Sequence, residues 1–223
     1  MRINSGIVFS LTLAVLLAPV AAKADTMAKK GFYGSFHGGY VDADDHNFQY
    51  APGFDVNTEL DGGFGIGAAL GYDFGHFAQN LGVRAEAEIT YRDNEVDGHD
   101  LNGAAQTGAA GDLTSLAFMA NGIIDIHNKS RFTPYAGAGI GFANVEYDGY
   151  DIDAVNGVLS DDDTVFAYQL IAGLSFDINE KFALTADYRY FATEDPDVTT
   201  VVNNDTSTEY DTHNFLAGIR YKF

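Results

Sequence analysis

Leu81–Arg92 reads LGVRAEAEITYR, and its two interleaved sets of side chains decide the fold class. One set is Leu81, Val83, Ala85, Ala87, Ile89 and Tyr91; the other is Gly82, Arg84, Glu86, Glu88, Thr90 and Arg92. Neighbouring residues of a strand point to opposite faces, so this segment is a strand with one apolar and one ionic face. The preceding stretch, Gly63–Phe74, sets Phe64, Ile66, Ala68, Leu70, Tyr72 and Phe74 against Gly65, Gly67, Ala69, Gly71 and Asp73. The same alternation predicts strands over Gly31–Val41, Thr114–Ile126, Phe132–Val145, Val165–Ile178, Phe182–Phe191 and His213–Phe223.

A soluble sandwich would alternate too, with its apolar faces turned inward and its polar faces in water. Two features favour a membrane barrel. Connections alternate between short (Gly75–Asn80, His127–Arg131, Asn179–Lys181) and long (Asp42–Gly62, Asp93–Leu113, Glu146–Thr164, Ala192–Thr212). Short periplasmic turns with long external loops are the outer-membrane pattern. Aromatic residues of the apolar faces also gather at the strand ends. Phe32, Tyr72, Phe74, Phe132, Phe176, Phe182, Tyr221 and Phe223 fall on the short-turn side, and Tyr40, Phe64, Tyr91, Phe142, Phe166, Tyr190 and Phe215 on the other. Small aliphatic residues between two aromatic girdles suit a bilayer. A loose repeat spaces Phe74, Ile126 and Ile178 evenly, each preceded by Asp (Asp73, Asp125, Asp177). The expected fold is an all-β, eight-stranded antiparallel up-and-down transmembrane barrel with four long acidic loops.

The amino terminus predicts export. Arg2 precedes an apolar run, Ile7–Ala18, and Ala22-Lys23-Ala24 has a small-x-small cleavage pattern. That run is well short of the ~20 residues a spanning helix needs. The expected organisation is a signal peptide over 1–24 and an outer-membrane barrel domain over 25–223.

Composition removes several classes. The 223 residues include no cysteine, which excludes disulfides, thiolate metal sites and cysteine nucleophiles. Twelve Lys+Arg against 32 Asp+Glu give a net charge of −20, the wrong sign for a nucleic-acid partner.

Gly31-Phe32-Tyr33-Gly34, Leu116–Asp125 (LAFMANGIID), Thr133–Gly141 (TPYAGAGIG), Asp187-Tyr188-Arg189-Tyr190 and Arg220-Tyr221-Lys222-Phe223 occur in an order that resembles the small eight-stranded outer-membrane barrels of Gram-negative bacteria, the OmpA-like and opacity-type family. The resemblance spans residues 25–223. It implies residence in the outer membrane, a structural or surface-interaction role without catalysis, and contact with outer-membrane lipids and lipopolysaccharide. It also implies that Phe215, Ile219, Tyr221 and Phe223 form a signal read by the barrel assembly machinery. The peptidoglycan-binding domain of OmpA has no counterpart among the barrel strands, so wall anchoring is not carried over.

Eight strands enclose an interior just wide enough for side chains to fill. Alternation turns Arg84, Arg92, Arg189, Arg220 and Lys222 inward with Asp73, Glu86, Glu88, Asp125, Asp177 and Asp187. Near-balance of sign points to a self-paired plug rather than an ion-selective lumen, which would carry rings of one sign. Arg84, Glu86, Glu88, Arg92, Asp187, Arg189 and Arg220 are the expected lumen network. The inward glycines Gly65, Gly67, Gly71, Gly137, Gly139 and Gly141 would make room for the long side chains opposite. A rival reading lets Glu86 and Glu88 exchange partners among Arg84, Arg189 and Arg220 to open a narrow diffusion channel.

The four long connections hold 24 of the 32 acids and no Lys or Arg. They predict a solvated anionic surface, with loosely bound Ca²⁺ or Mg²⁺ as the functional alternative. Asp151, Asp153, Asp161, Asp162 and Asp163 are the weak metal candidates. The segment departs from a calcium loop at Val155, at Gly157 and at Asp162 in place of Glu. No resident cofactor is expected, and the barrel should be a monomer. Catalytic motifs are lacking: there is no Gly-x-Ser-x-Gly and no His-Glu-x-x-His. His213 beside Ser207 or Asp211 is the best constellation for a lipid A-modifying enzyme. His37, predicted inward near Ser35, reads as part of the polar interior.

Overall fold

The computed structural model describes residues 30–223 apart from 44–45, 52–53, 61, 79, 102–103, 107–110, 151–158, 195–197, 200–204 and 207–209. The expected signal peptide lies outside the described residues. Eight long strands form the staves: β1 Gly31–Ala43, β2 Gly63–Ala78, β3 Leu81–Leu101, β4 Gly111–Ile126, β5 Phe132–Tyr150, β6 Leu159–Asp177, β7 Phe182–Thr193 and β8 Asp211–Lys222. Each pairs antiparallel with its neighbour in the chain. β8 returns to β1, from Tyr33 opposite Lys222 to Ala43 opposite Thr212, so the sheet closes on itself. Closure satisfies the stave backbones internally, as hydrocarbon demands.

Packing is inverted relative to a water-soluble protein. Leu70 is 69% exposed and Phe32 67%, whereas Arg84 and Asp73 on the opposite face are each 2% exposed. The girdle aromatics meet across strands at both ends. Phe32–Tyr72, Phe132–Phe176 and Phe182–Tyr221 have ring centroids 4.9 Å apart on the short-turn side. Phe64–Tyr91 and Phe142–Phe166 stand 6.4 and 6.3 Å apart on the other.

The short turns are built from local side-chain chemistry. Asn128 Oδ1 accepts from Ser130 N at 2.7 Å, and Asn179 Oδ1 accepts from Lys181 N and Phe182 N at 2.8 and 2.9 Å. Such Asx turns are a standard way to reverse a chain tightly. The expected turn Gly75–Asn80 is shorter than the sequence indicated, because β2 continues to Ala78 through register shifts after Asp73 and His76. Gly75 at φ 75° takes a backbone conformation that side-chain-bearing residues avoid, and its N–H donates to Asp73 Oδ1 at 2.8 Å.

The long connections also differ from expectation, since several staves run on into them. β3 extends nine residues past Arg92 to Leu101, β5 reaches Tyr150, and β6 starts at Leu159. Within the connection after β1, His46–Ala51 pairs with Phe54–Leu60, which pairs in turn with the far end of β3. A 21-residue strand is ~70 Å long, more than twice the ~30 Å hydrocarbon thickness. Apolar alternation marks only the bilayer-crossing part; beyond it, backbone pairing continues without an apolar face.

Candidate functional site

The barrel interior divides into two levels. Nearer the short turns it is ionic. β3 turns Arg84, Glu86, Glu88, Thr90 and Arg92 inward in succession, because strand geometry puts every second residue on one face. Arg84 forks onto Asp125 of β4, with Nε at 2.7 Å and Nη2 at 3.0 Å, while its Nη1 reaches Glu86 at 2.9 Å. Tyr33 of β1 donates to Glu86 at 2.6 Å. One level higher, Arg189 of β7 reaches Glu88 at 2.6 Å and Asp187 at 3.1 Å. Tyr135 of β5 donates a hydrogen bond to Asp187.

Glu88 is the most heavily used acceptor. Besides Arg189 it receives Asn121 Nδ2 at 3.0 Å, Thr90 Oγ1 at 2.9 Å and Gln169 Nε2 at 3.4 Å. His37 Nε2 stands 3.3 Å from Thr90 Oγ1. Gly71 leaves the space that the Tyr33 ring occupies, so any side chain there would collide with it. At the short-turn mouth Lys222 pairs with Asp73 at 3.2 Å.

Toward the long connections the interior becomes apolar. Leu113, Ala117, Met119, Ala143, Val145, Val165, Ala167, Phe191 and Tyr210 form one buried cluster. Arg92 enters this level fully buried and without a carboxylate partner among the described residues: its Nε donates to Asn214 Oδ1 at 2.9 Å, and its guanidinium lies 3.8 Å from the Phe191 ring centroid. Charge on the ring face of Phe191 is a desolvated cation–π contact. Tyr210 donates to Asn94 Oδ1 at 3.2 Å.

The expected lumen residues thus fall into three groups. Arg84, Glu86, Glu88, Asp187 and Arg189 stand in carboxylate–guanidinium contacts. Arg92 stands apart on Phe191 and Asn214. Arg220 is buried beside Ser175, whose Oγ accepts from its Nη2 at 2.9 Å, and it has no salt bridge among the described residues. Tyr33, Tyr135, Asn121 and Gln169, absent from the expected network, share its inward parity; alternation alone could have found them.

Phe215 and Ile219 are exposed on the wall, Tyr221 is half-buried there, and Phe223 is 73% exposed just beyond β8. Asp151 and Asp153 lie outside the described residues, while Asp161, Asp162 and Asp163 belong to β6, opposite Tyr147, Glu146 and Val145. That placement corrects the expected loop, because the hairpin of β5 and β6 reaches into it. Ser207 is outside the described residues. His213 Nδ1 meets the Tyr188 hydroxyl at 2.7 Å, and Asp211 accepts from Tyr190 at 2.8 Å.

A closed eight-stave barrel with an apolar wall, two aromatic belts and an ion-paired interior defines a transmembrane barrel of the outer-membrane type. Residues 10–223 match the family described as outer membrane protein beta-barrel domain, and the chain belongs to that family. It is 30% identical over 181 residues to outer membrane protein PagN of Salmonella typhimurium, covering 73% of this chain and 74% of that protein. A Rickettsia conorii protein whose name proposes an adhesin role, RC1281, is 32% identical over 120 residues, 48% of each. Among solved structures, Neisserial surface protein A shares the fold with a TM-score of 0.54 at 21% identity, over 86% of this chain and 97% of that one. The protein is an outer-membrane β-barrel protein.

Proposed function

We propose that this chain is a non-catalytic, monomeric barrel whose sealed interior makes it a rigid support for externally displayed hairpins that contact neighbouring surfaces. The carrying observation is the filled bore: from the Lys222–Asp73 pair through the Arg84 and Arg189 networks to the Leu113–Val145 cluster, buried side chains occupy successive levels. Buried charges are tolerable only when matched, so parting them for ion passage costs several kcal/mol per ion. The displayed connections, rich in carboxylates, would share Ca²⁺ or Mg²⁺ with lipopolysaccharide phosphates at the outer leaflet. The adhesin name of the Rickettsia relative is in keeping with a contact role.

Planar-bilayer recordings test the reading. The reconstituted protein is expected to give no stable conductance steps, and Glu86→Ala and Arg189→Ala proteins are expected to differ from it by loosening the plug. Steady wild-type conductance would overturn the sealed interior in favour of a narrow diffusion channel. Mass spectra of lipid A from a deletion strain are expected to match the parent; an altered lipid A would overturn the non-catalytic assignment.

A further inference from the structure

We propose that His76 and His127 form a two-nitrogen site for one exchangeable divalent transition metal of the zinc class at the short-turn mouth of the barrel. The two rings come from different parts of the chain. His76 lies near the end of β2 and His127 directly after β4, with β3 running between those staves. Their ring centroids are nevertheless 4.5 Å apart, with the planes inclined by 56°.

Backbone register explains the meeting. His76 is paired with Gly82 of β3, and Gly82 is paired in turn with Asp125 of β4, two residues before His127. Gly82 has no side chain to stand between the two rings. A Cβ added there would lie 2.6 Å from His127 Nε2, so that nitrogen occupies the space over the residue opposite His76. The His127 N–H donates to the Asn80 carbonyl at 2.8 Å, which ties the turn after β4 to the hairpin of β2 and β3.

His127 Nε2 is buried and has no hydrogen-bond partner among the described residues. By contrast, His37 Nε2 meets Thr90 Oγ1 and His213 Nδ1 meets the Tyr188 hydroxyl. Zinc takes imidazole nitrogens at about 2.0–2.1 Å, and rings this close reach one ion by rotation about their side-chain bonds. The neighbouring carboxylates are engaged elsewhere: Asp125 holds Arg84, and Asp73 accepts from Gly75 N and Lys222. No group of three or more His, Asp or Glu side chains among the described residues is placed to hold a metal, so the protein supplies two ligands and water the rest. Imidazole suits zinc, nickel and copper, whereas calcium and magnesium take oxygen. The site therefore differs in kind from the acidic connections at the other end of the barrel.

The test titrates Zn²⁺ by calorimetry into the folded, detergent-solubilised barrel, with Ca²⁺ in excess to occupy carboxylates. Saturable uptake of one Zn²⁺ per chain is expected, with a rise in unfolding midpoint because only the folded chain brings the two rings together. His76→Gln and His127→Gln are each expected to abolish both effects. Gly82→Ala keeps both histidines but displaces the His127 ring, and is expected to abolish them too. Absence of saturable uptake in excess Ca²⁺ overturns the proposal. So does uptake that survives any of these substitutions in a folded protein, since the metal would then sit elsewhere. Should Gly82→Ala fail to fold, judged by the migration of unboiled protein, the two histidine variants at the mouth decide the matter.

Discussion

The two halves of the bore fill the same cylinder by opposite means. Near the short turns, three arginines and the carboxylate, hydroxyl and amide groups around them interlock from stave to stave; near the long connections, Leu113, Met119, Val145 and Phe191 pack with scarcely a charge among them. The ionic half is rigid only while every partner remains, because removing one strands the other in a low-dielectric interior. The apolar half degrades gradually, since losing one side chain forfeits contacts and leaves a small void. Specific pairing therefore belongs to the lower half, and tolerance of change to the upper half.

The sharpest way to break this contrast is Glu88→Ala. It leaves Arg189, Asn121, Thr90 and Gln169 without their shared acceptor and is expected to cost roughly 3–5 kcal/mol. Urea unfolding from lipid vesicles, followed by the migration of unboiled protein, measures it. A loss below that of an apolar truncation would erase the distinction between the halves. Leu113→Ala, in the upper cluster, is expected to cost about 2–3 kcal/mol by the same assay and to leave the lower half intact.

The smallest expected effect is a pH dependence at the short-turn mouth. His127, in the turn after β4, titrates below its ordinary 6.5, chiefly because burial disfavours its charged form; Asp125 pulls the other way and His76 adds to the lowering. As pH falls below about 6.5 the unfolded chain takes up the proton first, so stability present above that pH declines on acidification. His127→Gln is expected to flatten this slope by roughly a few tenths of a kcal/mol, discounted for the exposed half of the ring. Unfolding midpoints at pH 7.5 and 5.5 would show it; an unchanged slope would remove His127 as its source.

The wall and most of the lumen were legible in the sequence because a bilayer imposes a strict rule on alternate residues. Leu81–Arg92 alone carries a lipid face and three of the six ion-paired residues of the Arg84 and Arg189 networks. Arg92 was harder to read: parity shows that it turns inward, but only the packed structure shows Phe191 and Asn214 waiting for it rather than a carboxylate. Stave ends were hidden for a related reason. Past Tyr91 the sequence reads Asp93-Asn94-Glu95, so apolar alternation stops while the ladder to β4 runs on to Val96 opposite Gly111. Partner choice and strand pairing in water leave little trace in one-dimensional patterning.

The seam between β1 and β8 joins the two ends of the barrel sequence, Tyr33 against Lys222 and Ala43 against Thr212. Until the final stave arrives, two rows of unsatisfied amides must be kept away from hydrocarbon, so insertion and completion of the ring are coupled events. Loss of β8, by truncation or frameshift, would therefore remove membrane competence as a whole rather than one-eighth of it.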